Sequence, residues 1–378
     1  MVLVMQKYIV KFLFLIGVFF TSNSNALESI AVEAYMIDLS TGQILLDKNS
    51  ELKTFPSSMT KMMTVLLAFD KISKGQISLD QKFLVSKKAW RMGGSKMFVE
   101  VDKSISVEDL LRGIIVQSGN DASIVLAEGI SGSEEAFAVE MNILAKIIGL
   151  KGSNFVNSSG MPDNNHYTTA RDLALIAEYT IKNFPDFYKF YSESEFTFSG
   201  ISQPNRNPLL GISEGNDGLK TGYTNDAGYG YVGSSIRDGR RLILVFNGTL
   251  SSKKRRQEAH RLMEWGFSNF KLIEFFKKGD LVFQADTWLG KNKKVNLIAP
   301  SNLSLALPKA HLPNMKVSVQ VIEPIPTPIM AGDIIGQLKV FHGDAESSFD
   351  LVAEKDIKQK KFLSKIFSAL YYLVMGTN

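Results

Sequence analysis

Residues 56–61 read Pro-Ser-Ser-Met-Thr-Lys, and the motif Ser58-Met59-Thr60-Lys61 within them decides how the rest of the chain is interpreted. Two tripeptides follow downstream, first Ser118-Gly119-Asn120 and then Lys220-Thr221-Gly222. Ser-x-x-Lys also occurs at 50–53, 251–254 and 268–271, whereas Ser-x-Asn and Lys-Thr-Gly each occur once. The order of all three motifs is therefore more informative than any one of them.

The first motif pairs a nucleophile with a candidate base. Ser58 and Lys61 are three residues apart in a predicted helix over 58–72, so their side chains share one face. A serine hydroxyl is a weak nucleophile until a base accepts its proton. Lys61 can be that base only if it is partly neutral, which burial and a second cation, expected to be Lys220, would favour. The positive end of the helix would also stabilise an anion developing at an attacked carbonyl.

The second motif supplies a proton relay and an amide. Ser118 can pass a proton to a leaving amine, and Asn120 can hold Lys61 while it binds a substrate carbonyl. Taken alone, the stretch Ser118-Gly119-Asn120-Asp121 could equally be a helix cap and turn. Only the presence of the other motifs favours the catalytic interpretation.

The third motif is typical of a strand that receives a peptide with a free carboxylate. Lys220 and Thr221 offer a positive charge and a hydroxyl to that carboxylate. Gly222 leaves room for an extended peptide along the strand edge. The backbone N–H groups of Ser58 and Tyr223 are candidates for an oxyanion hole. Alone, the tripeptide could be an exposed strand end.

Composition excludes several classes of function. The 378 residues are 45% hydrophobic and 21% charged, which is typical of a globular protein with room for two domains. Cysteine is absent, which excludes disulfides, thiolate metal sites and a cysteine nucleophile. Four histidines are scattered without metal-binding spacing: His166, His260, His311 and His342. We therefore expect no metal and no cofactor, and a net charge of +5 without a phosphate loop does not indicate nucleic-acid binding.

The N-terminus is typical of a secretory signal peptide. Lys7 and Lys11 precede a short apolar stretch, Phe12–Phe20, and Ser24-Asn25-Ala26 provides small residues for cleavage before Leu27. The alternative is a transmembrane anchor, but the stretch is shorter than the ~20 residues that a spanning helix needs. We predict that residues 1–26 are removed on secretion.

The C-terminus carries a second membrane signal. Over Lys358–Val374 apolar residues recur at helical spacing, with lysines at the start and off the apolar stripe. Such a helix can lie in a membrane interface with its lysines on anionic head groups. A helix packed on the protein's own core is the alternative. The acidic stretch Gly343–Glu354 is interpreted as a linker before it.

Hydrophobic patterning predicts an α+β fold. Strand-like segments and amphipathic helices alternate over residues 27–279, which indicates an antiparallel sheet with flanking helices. Short strand-like segments separated by Pro, Gly and Asn then predict an all-β domain over 280–345. Residues 346–378 are assigned to the linker and the amphipathic membrane anchor.

Further stretches give the chain a resemblance to a known family. They are Ser118-Gly119-Asn120-Asp121-Ala122, Tyr167-Thr168-Thr169-Ala170-Arg171-Asp172, Gln203-Pro204-Asn205-Arg206-Asn207, Asp217-Gly218-Leu219-Lys220-Thr221-Gly222 and Pro326-Thr327-Pro328-Ile329. With the three motifs, they resemble the D-alanyl-D-alanine carboxypeptidases among the low-molecular-mass penicillin-binding proteins, in the branch with a β domain and a C-terminal anchor. One departure is Tyr223, where some members have histidine.

The resemblance implies a transpeptidase-like fold and an activity. The expected reaction removes the terminal D-alanine from peptidoglycan pentapeptide stems through an acyl-serine, with β-lactams as covalent inhibitors. The resemblance also implies that Arg206 helps to receive the terminal carboxylate. It further implies a periplasmic protein, peripheral on the outer face of the cytoplasmic membrane.

Three alternatives use the same motifs. A class A β-lactamase needs a glutamate that activates the deacylating water, and Asn157–Arg171 contains none. A DD-endopeptidase would share the acylation machinery. A non-catalytic wall-binding protein would be expected to carry a degenerate site, whereas the motif residues here are intact.

Overall fold

The computed structural model describes residues 28–361, and its first unit is built on one five-stranded antiparallel sheet. The strands are β1 (Glu33–Asp38), β2 (Gln43–Lys48), β7 (Asn216–Thr224), β8 (Gly228–Arg237) and β9 (Arg240–Thr249). Their spatial order is β2-β1-β9-β8-β7, so β7 lies at an edge of the sheet. The Lys-Thr-Gly motif lies in this edge strand, where an extended peptide has access to unpaired backbone groups.

Helices cover both faces of the sheet. They are α1 (Lys61–Ser73), α2 (Lys87–Arg91), α3 (Val107–Ile115), α4 (Asn120–Ser131), α5 (Glu134–Ile147), α6 (Ala170–Asn183), α7 (Pro185–Tyr188) and α8 (Ser252–Asn269), with 3₁₀ turns at Ser57–Thr60 and Lys189–Ser192. Several start at a side-chain cap: Ser106, Ser133 and Thr169 each accept a hydrogen bond from the N–H three residues on. Two small two-stranded sheets complete the unit: β3 (Lys82–Leu84) pairs with β4 (Ser104–Ser106) across the intervening α2, and β5 (Glu195–Phe198) forms a hairpin with β6 (Ile201–Pro204).

Strand β9 shows why the sheet needs helices on both sides. Ile243 and Val245 join the large core around α1, whereas Leu244 and Phe246 join a second core formed with α8. Alternate residues of a strand point to opposite faces, and here both sets are fully buried. The central strand is therefore a continuous apolar run, and α1 is fixed against one face of the sheet.

The second unit consists of β strands and one 3₁₀ turn, Lys309–Asn314. The strands are β10 (Phe270–Phe276), β11 (Leu281–Trp288), β12 (Lys294–Ile298), β13 (Leu303–Pro308), β14 (Lys316–Val321), β15 (Ile325–Pro326), β16 (Ile334–His342) and β17 (Ala345–Ala353). They form a six-stranded sheet, β14-β16-β17-β12-β11-β15, and a two-stranded ladder of β10 with β13. The α+β fold class, with an all-β domain after the helical one, is confirmed.

Two predicted limits of this unit differ from the structure. The unit begins at Phe270 rather than at 280, because β10 pairs with β13. The segment interpreted as a linker is wrong over Ala345–Ala353, which forms β17 between β16 and β12. Its acidic residues are exposed, while Leu351 and Ala353 alternate inward and are buried. Composition indicated a linker because the buried residues are few and lie at every second position.

The start of the predicted C-terminal helix also differs. Lys358–Lys361 are extended: the N–H of Lys291 donates to the carbonyl of Lys358 at 2.8 Å, and the N–H of Lys360 donates to that of Leu289 at 2.9 Å. The rest of the predicted anchor helix, 362–374, and the signal peptide lie outside the described residues. Between residues 28 and 361, no helix has the length and apolarity needed to cross a bilayer.

Candidate active site

Ser58 lies in the 3₁₀ turn Ser57–Thr60, directly before α1. The N–H of Met59 donates to the carbonyl of Pro56 at 3.0 Å, which closes the turn. Met59 and Thr60 are completely buried, whereas Ser58 is half-buried and lines a cleft of about 580 Å³. The turn therefore holds the serine at the cleft wall while its neighbours anchor it to the core.

Lys61 occupies the first turn of α1 and is completely buried. Its Nζ lies 3.1 Å from Ser58 Oγ, 2.7 Å from Asn120 Oδ1 and 2.6 Å from the carbonyl oxygen of Ser159. Asn120 Nδ2 donates to the carbonyl of Gly93 at 2.9 Å, so Asn120 turns its oxygen toward Lys61. Lys61 therefore has two neighbours that only accept and one, Ser58, that can also donate.

The electrostatics of Lys61 match this arrangement. Burial is the main cause that lowers its pKa to about 7, and the positive charge of Arg206 adds to the effect. A neutral amine keeps two N–H donors and gains one lone pair. Asn120 and Ser159 can take the two donors, which leaves the lone pair for the hydroxyl of Ser58.

Ser118 and Lys220 meet across the cleft from this pair. Lys220 Nζ donates to Ser118 Oγ at 2.8 Å and to the carbonyl of Thr221 at 3.2 Å. Burial lowers the pKa of Lys220 well below its usual value, and the charge of Lys61 adds to that shift. Ser118 has a φ of 60°, a left-handed conformation that is uncommon for serine. Lys220 therefore contacts Ser118 rather than Lys61, although the two lysines are close enough to interact.

Asp121 fixes the loop that borders the cleft. Its carboxylate accepts hydrogen bonds from the backbone N–H groups of Met97 at 2.8 Å, Phe98 at 2.9 Å and Val99 at 3.2 Å. Three donors satisfy a buried carboxylate that would otherwise be costly. The loop in turn holds Gly93, whose carbonyl orients Asn120.

The edge strand β7 forms the other wall of the cleft. A Cβ on Gly222 would lie 3.0 Å from the carbonyl oxygen of Pro56, so a side chain here would require the neighbouring backbone to shift by a few tenths of an ångström. Thr221 lines the cleft, and Tyr223 is about half exposed and stacks on Tyr229 with ring centroids 4.1 Å apart. The complete lining is Ser58, Ser95, Ser118, Gln203, Pro204, Asn205, Arg206, Thr221, Gly222, Tyr223, Tyr229 and Arg255.

Cations converge on this cleft. Arg206, from the segment after β6, donates from Nη1 to Ser95 Oγ at 2.7 Å. Arg255, from the first turn of α8, donates from Nη1 to the carbonyl of Gly222 at 3.4 Å, and burial lowers its pKa. Together with Lys220, they make the cleft suitable for a carboxylate.

Some of these residues were not predicted from sequence. Arg255 belongs to the basic run Lys253-Lys254-Arg255-Arg256, which looks like the solvated start of a helix. Ser95 lies in a Gly-rich loop without a motif. The carbonyl of Ser159 carries no side-chain signal at all, and only the folded loop brings it to Lys61.

His166 is bound to the turn that carries Ser58, through Thr60. Its Nδ1 accepts a hydrogen bond from the N–H of Val156 at 3.1 Å, so its Nε2, 2.8 Å from Thr60 Oγ1, carries the proton. Burial lowers the pKa of His166 to about 4. The neutral ring therefore links the loop 151–169 to the turn that carries Ser58.

The glutamate nearest to this loop in the hydrogen-bond network is Glu134. Its Oε1 accepts hydrogen bonds from the N–H and the Oγ of Ser158, and its Oε2 pairs with Lys88 at 2.9 Å. Glu134 is therefore committed to holding the loop. Within residues 28–361, no group of three or more His, Cys, Asp or Glu side chains could hold a metal ion.

The fold and the site match a class of protein: serine acyl-transfer enzymes that carry a lysine three residues after the serine. The D-alanyl-D-alanine carboxypeptidase family model matches residues 20–250, and the model of the C-terminal domain of penicillin-binding protein 5 matches residues 270–359. The chain belongs to the family of D-alanyl-D-alanine carboxypeptidases, as its motifs predicted.

Individual relatives agree along most of the chain. The D-alanyl-D-alanine carboxypeptidase DacA of Haemophilus influenzae is 34% identical over 92% of this chain and 90% of its own. The crystal structure of penicillin-binding protein 5 from the same species matches with a TM-score of 0.80 and 34% identity, over 88% of this chain and 98% of that one. Penicillin-binding protein D2 of Listeria monocytogenes in its ampicillin-bound form matches with a TM-score of 0.59 and 30% identity, over 64% and 99%.

These relationships confirm the predicted enzyme class, a serine-type D-Ala-D-Ala carboxypeptidase of the penicillin-binding proteins. The predicted binding of β-lactams is supported at the level of the family.

Proposed function

We propose that this enzyme removes the terminal D-alanine from peptidoglycan pentapeptide stems through an acyl intermediate on Ser58. One observation carries the assignment of Ser58. When Lys61 is neutral, its two N–H groups can donate to Asn120 Oδ1 and to the carbonyl oxygen of Ser159. Its lone pair is then left for the hydroxyl of Ser58, whose Oγ is the third neighbour of Nζ. This geometry favours proton transfer from Ser58 to Lys61.

Acylation then follows in one sequence of bond changes. Lys61 accepts the proton of Ser58, and Oγ attacks the carbonyl carbon of the D-Ala-D-Ala amide bond. The oxyanion binds the backbone N–H groups of Ser58 and Tyr223. The C–N bond breaks, and the proton that Lys61 accepted from Ser58 passes through Ser118 to the leaving amine, which returns Lys61 to its neutral form; Lys220 contacts Ser118 at 2.8 Å. Free D-alanine departs, and the rest of the stem stays esterified to Ser58.

Deacylation returns the enzyme to its first state. A water molecule takes the position of the departed amine, gives a proton to neutral Lys61 and attacks the ester. The ester bond breaks, and the proton returns to Ser58 Oγ. In the described structure Glu134 is held by Ser158 and Lys88, so we assign it no part in this step.

We assign recognition of the terminal carboxylate to Thr221 and Arg206, with Lys220 and Arg255 adding positive charge. A free carboxylate on the leaving residue distinguishes a carboxypeptidase substrate from an internal peptide bond. Arg206, Lys220 and Arg255 come from three separate elements and bring their positive charges close together at one cleft. A bound carboxylate compensates these charges.

A pair of serine variants tests the nucleophile. Ser58→Ala is expected to abolish both D-alanine release from diacetyl-Lys-D-Ala-D-Ala and the covalent benzylpenicillin adduct, measured by intact-protein mass spectrometry. Ser268→Ala is the matched control, since Ser268 also begins a Ser-x-x-Lys motif but is exposed on α8. Retention of either activity in Ser58→Ala would move the nucleophile elsewhere.

The time course of the penicilloyl adduct, together with the peptide products, distinguishes a carboxypeptidase from a β-lactamase and an endopeptidase. A long-lived penicilloyl adduct with release of one D-alanine from the peptide supports the carboxypeptidase. Rapid penicillin turnover without peptide cleavage would identify a β-lactamase. Cleavage of a cross-linked dimer faster than of the pentapeptide would identify an endopeptidase.

We also propose where the enzyme works. A signal peptide at residues 1–26 would deliver it to the periplasm, and an amphipathic segment beyond Lys361 would hold it on the outer face of the cytoplasmic membrane. Support comes from the sequence patterns of the two termini and from the family's role in the bacterial cell wall. Stem peptides and the membrane surface are then its partners, and nucleic acid is not.

A further inference from the structure

Arg206, the cation that we assign to the terminal carboxylate, lies in a segment without regular secondary structure. Residues 205–207 connect the end of β6 at Pro204 to a turn that begins at Pro208. Within residues 28–361 the guanidinium has one hydrogen-bond partner, Ser95 Oγ at 2.7 Å. The position of Arg206 therefore depends mainly on how the backbone of this short segment is held.

Asn205 fixes the backbone on the N-terminal side of Arg206. Its N–H donates to the carbonyl of Ser194 at 2.7 Å, and its Nδ2 donates to the carbonyl of Glu193 at 2.8 Å. Its Oδ1 accepts a hydrogen bond from the N–H of Asn207 at 2.9 Å, which closes a side-chain turn around Arg206. The segment is thus bound on this side to the chain that precedes β5.

Asn207 fixes the backbone on the other side and is buried, with 7% of its surface exposed. Its Oδ1 accepts hydrogen bonds from the N–H of Leu209 at 3.1 Å and from the hydroxyl of Tyr231 at 3.3 Å. Its Nδ2 donates to Asn216 Oδ1 at 2.8 Å. Because these partners are buried as well, loss of the Asn207 side chain would leave polar atoms that are costly to leave unbonded.

Asn216 connects this network to the strand that carries the Lys-Thr-Gly motif. It is the first residue of β7, four residues before Lys220. Its Nδ2 donates to the carbonyl of Ser234 on the neighbouring strand β8 at 2.9 Å, so its amide is fixed in the sheet. The bond between Asn207 and Asn216 therefore joins the segment of Arg206 directly to β7.

We propose that Asn207 is a positioning residue for the carboxypeptidase reaction: its bond to Asn216 holds Arg206 at the distance from β7 that a terminal carboxylate requires. This inference rests on the proposed role of Arg206 in binding that carboxylate. Asn207 does not line the cleft, so it acts on the substrate only through Arg206. Loss of its side chain is expected to displace Arg206 and to weaken binding of a free acid, with little effect on the chemistry at Ser58.

The test compares acylation of the full mature chain by benzylpenicillin and by its methyl ester, which has the same β-lactam ring without the carboxylate. Asn207→Ala is expected to lower the ratio of the two second-order rate constants, acid over ester, about tenfold, because the charge-assisted contact of Arg206 is weakened. The loss is expected in the dissociation constant of the acid, with the acylation rate at saturation nearly unchanged. Asn296→Ala is the matched control: it removes a half-buried amide that bonds Gln284 and Glu354 in the β domain, and the ratio is expected to stay the same.

A double variant tests whether Asn207 acts through Arg206. In that case Arg206→Gln lowers the ratio, and Arg206→Gln/Asn207→Ala lowers it no further, because residues that act as one unit are not additive. Equal slowing of the acid and the ester by Asn207→Ala would mean a general structural role and overturns the inference. Additive losses in the double variant overturn it too.

Two other results distinguish this inference from the proposed function. An unchanged ratio in Arg206→Gln would refute the carboxylate role of Arg206 and, with it, the inference. A lowered ratio in Arg206→Gln with an unchanged ratio in Asn207→Ala would refute the inference alone. If Asn207→Ala does not fold, Tyr231→Phe decides: it removes the hydroxyl that bonds Asn207 and keeps the ring that packs on Phe246. It is expected to lower the ratio about threefold, and an unchanged ratio overturns the inference.

Discussion

The pH dependence of acylation tests the assignment of Lys61 most directly. With a pKa of about 7, roughly half of the Lys61 side chains are neutral at pH 7. An unperturbed lysine would be neutral in about one molecule in 3,000 at that pH. If neutral Lys61 is the base, the second-order rate constant for acylation by benzylpenicillin rises about tenfold per pH unit below pH 7 and levels off above it.

A charge variant sharpens this test. Arg206 is the cation that adds to the lowering of the Lys61 pKa, so Arg206→Gln is expected to move the midpoint of the profile to higher pH. Arg171→Gln removes the same charge at an exposed ion pair with Glu51 and is expected to leave the midpoint unchanged. The rate constants are measured by quenched-flow mass spectrometry of the Ser58 adduct from pH 5 to pH 10.

Two results would refute the reasoning. A midpoint near pH 10 in the unaltered enzyme would mean that Lys61 has an ordinary pKa and is not the base. A midpoint near pH 4, with a plateau above it, would assign the controlling titration to His166.

Three further predictions concern stability and location. Gly160→Ala is expected to lower the free energy of unfolding by roughly 2 kcal/mol or more and to slow acylation, because a Cβ would lie 1.7 Å from the carbonyl oxygen of Ser57 and φ is +82°. His166 is neutral in the fold with a pKa of about 4, so the unfolded chain binds more protons between pH 6.5 and 4. Stability is therefore lost as pH falls through that window, by about 3 kcal/mol, in urea titrations. A chain that ends after Lys361 is expected to leave the membrane fraction and to keep its penicillin acylation.

Each of these has a control and a contrary result. Gly211→Ala has the same positive-φ cost without a clash, so an equal loss there would remove the contact with Ser57 as the cause. His166→Gln is expected to flatten the acid limb, and the exposed His260→Gln is expected to leave it intact; the reverse would exclude His166. Membrane retention of the shortened chain would assign the anchor to another segment or to a partner.

Much of the fold followed from local patterns. Helix α3 (Val107–Ile115) has local signals in the sequence, because apolar spacing and the cap at Ser106 are both short-range features. The strands β12, β13 and β16 lie within the predicted all-β domain, where short strand-like segments separated by Pro, Gly and Asn are likewise local signals. Strand β17 was missed, because only its pairing with β16 makes Leu351 a core residue.

The sequence by itself determined which residue types are available for catalysis, through three motifs whose order is informative, and it placed the chain in its family. The tertiary structure alone decided how they meet. Lys61 contacts Asn120 and Ser159, which are 59 and 98 residues away, and Lys220 contacts Ser118 across 102 residues. The lowered pKa of Lys61 depends on burial, which the whole core around α1 creates, and a neutral lysine at pH 7 is therefore a property of the packed fold and not of a motif.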